Sequence, residues 1–143
     1  MSAKAGVGFA ESLLSENQLA PYAVRAVAKA FLTDNSPKKA LEVIARIESE
    51  NIAHWLLYRK AEAQLAIDDN NGALKSANVA LKLAENDPKA KDRISIYHDL
   101  LSKCYEQLKE NTNALSELGI AIKKCTDSRY KQELKNALNI LKH

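Results

Sequence analysis

Lys39-Ala40-Leu41-Glu42-Val43-Ile44, Gly72-Ala73-Leu74-Lys75-Ser76-Ala77 and Asn113-Ala114-Leu115-Ser116-Glu117-Leu118 are three versions of one phrase. Each opens an amphipathic stretch whose small and apolar residues recur three and four apart, the period of a helix with one buried face. A polar run precedes each: Asp34-Asn35-Ser36-Pro37, Asp68-Asp69-Asn70-Asn71-Gly72 and Lys109-Glu110-Asn111-Thr112. Such residues cap helices or bend the chain, so each run divides a pair of helices. Ala40 and Ala73 are 33 residues apart, while Ala73 and Ala114 are 41 apart. The excess of about two helical turns surrounds Asn86-Asp87-Pro88-Lys89.

The rest of the 143-residue chain agrees with a helical reading. Ala, Leu, Lys, Glu and Asn are abundant, and only 4 Gly and 3 Pro are available for the tight turns that a sheet needs. With 46% hydrophobic and 27% charged residues, the chain can bury a core and solvate its surface as one domain. The net charge of +3 is mild because acidic and basic residues interleave, which permits nucleic acid without indicating it. No apolar run has the roughly 20 residues that span a bilayer, and Met1 to Ser12 lacks a signal-peptide core, so a cytoplasmic protein with no membrane partner is expected. Cys104 and Cys125 are far apart and form no metal-binding spacing; buried reduced thiols are expected.

At the level of individual positions the chain resembles the tetratricopeptide repeat family. That repeat spaces a large residue, a Leu, a small residue, an aromatic, an Ala, another large residue and a second Ala. In the third unit His98, Leu101, Ser102, Tyr105, Ala114, Leu118 and Ala121 fall on these positions in order. Val24, Val27, Ala28, Phe31, Ala40, Ile44 and Ile47 do so in the first, with Ile47 replacing the second Ala. In the second unit Leu57, Ala61, Ala73, Ala77 and Ala80 agree, but Lys60 and Gln64 stand where a Leu and an aromatic belong.

The resemblance implies an all-α fold: a right-handed α-solenoid of three helix-turn-helix hairpins with an N-terminal flanking helix and a C-terminal capping helix. The expected divisions within one domain, 1-143, are a flanking segment at 7-20, hairpins at 21-52, 54-86 and 89-126, and a capping helix at 128-142. Small residues at Ala28, Ala61 and Ser102 let paired helices approach, while Phe31 and Tyr105 fill the space between neighbours. Solenoid ends need covering. Phe9, Leu13 and Leu14 are candidates at one end; Tyr130, Leu134, Leu138 and Leu141, spaced as one helical stripe, are candidates at the other.

In this family the first helix of each hairpin lines an inner groove that receives peptides. Alignment to the repeat places Tyr22, Arg25, Lys29 and Leu32 of the first unit there. Trp55, Tyr58, Arg59, Glu62 and Leu65 follow from the second, and Asp99, Lys103 and Glu106 from the third. The family's clamp for C-terminal carboxylates is only half matched: Arg25 and Lys29 occupy its first positions, but Ile96 and Leu100 stand where its later cations are needed. Arg25, Lys29 and Arg59 beside Trp55, Tyr58 and Tyr22 form instead a basic, aromatic entrance suited to an acidic or apolar segment. The alternative is that these charges are solvated helix faces and these aromatics core.

No spacing suggests catalysis. His54 and His98 have no paired ligand nearby in sequence, His143 is terminal, and no phosphate loop, H-E-x-x-H or G-x-S-x-G occurs. No enzyme, no cofactor and no metal site are expected. The basic stretch Lys82 to Arg93 is diluted by Glu85, Asp87 and Asp92 and reads as a solvated turn. The function expected is that of a scaffold, adaptor or chaperone-like protein binding another protein. Self-association is the alternative, and an RNA-binding helical repeat a further one; against RNA, Lys29, Glu62 and Lys103 alternate in sign at one repeat position.

Overall fold

A computed structural model describes residues 21–48 and 53–143, with side chains from 26–45 and 53–143. All regular structure among them is helical. In chain order these are α1 (Pro21–Thr33), α2 (Pro37–Glu48), α3 (His54–Ala66), α4 (Asn70–Glu85), a 3-10 helix (Pro88–Arg93), α5 (Ile94–Gln107), α6 (Asn111–Lys124) and α7 (Ser128–Lys142). Among the described residues no helix is long and apolar enough to cross a membrane. Phe9, Leu13 and Leu14 lie outside the described residues.

Three turns join α1 to α2, α3 to α4 and α5 to α6, and they share one geometry. Asn35, Asp68 and Lys109 adopt the left-handed conformation, with φ of 57°, 63° and 64°. In each case the next residue's N–H returns to a carbonyl five residues back. Ser36 bonds Phe31 at 2.7 Å, Asp69 bonds Gln64 at 2.8 Å and Glu110 bonds Tyr105 at 2.9 Å. This closure satisfies carbonyls that the ending helix leaves open. The following helix begins at the same offset, with Ala40, Ala73 and Ala114 donating back to Ser36, Asp69 and Glu110. Proline opens α1 and α2, where its missing N–H would have had no intrahelical partner.

Each helix packs on its chain neighbours, and the first helices of successive hairpins also meet, α1 on α3 and α3 on α5. The close approach rests on small residues: Ala28, Ala61, Ala40, Ala73 and Ala114 are fully buried. Ser102 is buried as well, and its hydroxyl donates to the Ala114 carbonyl at 2.8 Å, so that its polarity costs little. Between the second and third hairpins Ala61, Ala73 and Ala77 pack with Leu100, Leu101 and Cys104. Gln64, in the place of an aromatic, accepts from the Ser76 hydroxyl at 2.7 Å and bridges α3 to α4 by a polar pair.

The extra residues lengthen α4 to 16 residues, against 12 in α2, and form the 3-10 helix. Leu57, Ala80, Ala84, Ala90, Ile94 and Tyr97 give this region a core of its own. The chain end is carried by α7, whose Leu134 is buried with Leu118, Ala121 and Cys125, while Tyr130 and Leu138 pack at the margin. Both cysteines are free and buried, and desolvation pushes the Cys104 thiol up to about 11.

Candidate functional site

The first helices α3 and α5, with the last residue of the 3-10 helix, form a cleft of about 330 Å³ lined by Trp55, Tyr58, Arg59, Arg93, Ile96 and Tyr97. Each wall is a helical i, i+3, i+4 set: 55, 58 and 59 on one side, 93, 96 and 97 on the other. Tyr97 is only 3% exposed and forms the floor. The Tyr58 ring meets it edge to face with centroids 5.5 Å apart, an arrangement favoured by ring quadrupoles. The Arg59 guanidinium lies 5.4 Å from the Tyr58 ring centre and donates to Glu62 at 2.5 Å. Burial pushes the Tyr58 hydroxyl above the ordinary tyrosine range, with Glu62 reinforcing the shift and Arg59 opposing it.

Below the cleft, His54 joins two separate parts of the chain. Its Nδ1 meets the Tyr97 hydroxyl at 2.5 Å and its Nε2 meets Asp87 Oδ2 at 3.0 Å. The imidazole thereby ties the start of α3 to α5 and to the residue that precedes the 3-10 helix. Asp87 also caps that helix by accepting from the Lys89 N–H at 3.0 Å. The His54 hydrogen bond, and after it the Lys89 amide, holds the Asp87 carboxyl below its usual value. Through this Asp–His–Tyr set the buried Tyr97 of α5 is joined to the start of α3 and of the 3-10 helix. His98 is buried and meets Glu117 of α6 at 2.7 Å. The partners of both histidines are therefore distant in sequence, which spacing does not reveal.

A second cleft of about 310 Å³ adjoins the first and is lined by Asp92, Ser95, Ile96, Cys125, Thr126, Asp127 and Tyr130. Ile96 lines both clefts. Asp127 caps α7 through the N–H groups of Arg129 and Tyr130. The Tyr130 hydroxyl donates to Asp99 Oδ2 at 2.8 Å, and Lys103 Nζ lies 3.5 Å from the same oxygen. Burial first, and then the negative charge of Asp99, raise the Tyr130 hydroxyl well above its ordinary range.

Of the residues expected in the groove, the structure brings Trp55, Tyr58 and Arg59 together on one wall. Trp55 is half-buried and also packs on the first hairpin's core, so wall and core are not exclusive roles. Glu62 is drawn into the pair with Arg59, and Asp99 and Lys103 pair with each other. Lys29 and Glu106 are exposed, whereas Leu32 and Leu65 are half-buried against the core. The side chains of Tyr22 and Arg25 lie outside the described residues. Sequence reasoning missed Arg93 and Tyr97 as walls, and it placed Ile96 only at a clamp position that lacks its cation. The signal for Ile96 was present, because Ile96, Asp99 and Lys103 follow one helical stripe that needed extending by a turn. Among the described residues no three His, Cys, Asp or Glu side chains gather as metal ligands. No family model, curated protein or solved structure matches the chain.

Proposed function

We propose that this chain is a protein-interaction module, a right-handed α-solenoid of three tetratricopeptide-like hairpins that holds a segment of a partner protein on the face formed by its first helices. It acts by binding, as a scaffold, adaptor or chaperone-like subunit, and not as an enzyme. The observation that carries the reading is the cleft between α3 and α5, where a half-buried Trp55 and Tyr58 lie beside Arg59 and Arg93. Aromatic and arginine side chains at a concave, partly desolvated place are those that dominate binding energy at protein interfaces.

The test is capture of partners by the intact chain, followed by affinity measurement on the identified partner. Arg59→Ala and Arg93→Ala should each weaken binding about tenfold, near 1.4 kcal/mol, while the thermal midpoint stays within a degree or so. An affinity unchanged by both substitutions overturns the groove reading. Self-association is the second reading, favoured by Ile140, which is 78% exposed on α7 beside half-buried Leu138 and Leu141. Light scattering across concentration, with Ile140→Ser as the comparison, decides it.

A further inference from the structure

The residues that lengthen the chain between the second and third hairpins also set the charge pattern of the groove. Asp92 and Arg93 are consecutive in the 3-10 helix, and they serve different clefts. Arg93 lines the first, together with Arg59; Asp92 lines the second, together with Asp127. Ile96 belongs to both and stands between them. Arg59 shares its charge with Glu62, but Arg93 is exposed and has no ion-pair partner among the described residues. Asp127 is exposed, and its Oδ1 caps α7 at 2.9 and 3.3 Å from two backbone nitrogens. From the first cleft to the second the lining therefore changes from cationic, over Trp55, Tyr58 and Ile96, to anionic.

We infer that this surface takes an extended peptide segment whose charges are separated: acidic residues at one end, an apolar residue in the middle and basic residues at the other. The proposal rests on the partner-binding reading above and specifies its ligand. The acidic end sits against Arg93 and Arg59, the apolar side chain enters beside Trp55, Tyr58 and Ile96, and the basic end meets Asp92 and Asp127. An extended chain advances about 3.3 Å per residue with side chains on alternate sides. Two rim carboxylates disfavour a polyanion such as nucleic acid, which would have to approach Asp92 and Asp127 along with the arginines.

Trp55 is the chain's only tryptophan and lines the first cleft, so its emission reports occupancy directly. Three blocked peptides of identical composition serve as probes: Glu-Asp-Ser-Phe-Ser-Lys-Arg, its reversed sequence, and the charge-mixed Lys-Glu-Ser-Phe-Ser-Asp-Arg. At least one of the two separated-charge peptides should bind about tenfold more tightly than the mixed one, and Arg93→Glu should erase that preference to within about twofold. Arg93 is exposed, so an unchanged circular dichroism spectrum is expected for the variant. Equal binding of all three peptides, no binding below about 1 mM, or a preference that survives Arg93→Glu overturns the proposal. If a captured partner loses affinity with Arg59→Ala while these peptides show no preference, only the charge-separated ligand falls. If neither responds, the groove reading falls with it.

Discussion

At the scale of single residues, the turn before α4 shows how little freedom a cap leaves. The Asp69 carboxylate accepts from the Gly72 N–H at 3.1 Å, and a Cβ built on Gly72 would lie 2.3 Å from that carboxylate. Gly72 is therefore required by the cap rather than by its own backbone angle, which is not in the left-handed region. Asp69→Ala should cost about 1 kcal/mol in denaturant unfolding. Gly72→Ala in the native background displaces the cap but improves helix propensity, so its net effect should be small. In the Asp69→Ala background the same change should stabilise by about 0.5–1 kcal/mol, a coupling that a double-mutant cycle reads directly. Two phenols carry a pH signature. Tyr58 and Tyr130 both have raised values in the folded chain, so the stability that their burial supplies is intact below the unfolded value near 10 and is lost as pH climbs toward the folded values. At about pH 11 the native chain should show less tyrosinate absorbance than the denatured chain. Coincident curves would remove the assignment.

At the scale of elements, the all-helical class was legible because small residues and polar breaks recur with fixed spacing. Ala40, Ala73 and Ala114 indeed lie buried near the start of the second helix in each hairpin. A larger side chain at these contacts has no room. Ala61→Leu, amid Ala73, Ala77, Leu101 and Cys104, should cost about 2 kcal/mol or more and lower the thermal midpoint, whereas Ala66→Leu on the exposed end of α3 should be near neutral. The walls of the cleft were less legible. Beyond Glu85 the repeat spacing supplies no phase until His98, so although the third hairpin was drawn from 89 no wall position could be assigned before Ile96, and Arg93 read as part of a solvated basic turn. His54 was equally opaque: Asp87 and Tyr97 lie 33 and 43 residues away in the chain, and only the packing of α3 on α4 and α5 brings them to one ring.

At the scale of the whole molecule, contacts run mainly between helices that are close in sequence, and this makes stability a local property along the chain. The last helix illustrates it. α7 packs on α6 through Leu134, and Tyr130 ties it to Asp99 of α5. Tyr130→Phe should speed amide exchange in α7 about five- to tenfold, with α3 and α4 unaffected. Uniform acceleration through all helices would instead indicate a single cooperative unit. The three shared turns have one more consequence, for insertions and deletions. Phe31 to Ala40, Gln64 to Ala73 and Tyr105 to Ala114 span the same number of residues with the same hydrogen bonds, so their side chains can vary but their length cannot. Removing one residue from the middle connection would rotate α4 by about 100° about its axis, carrying Ala73 and Ala80 out of the core and bringing Asn78 and Glu85 to the buried places of Ala77 and Ala84.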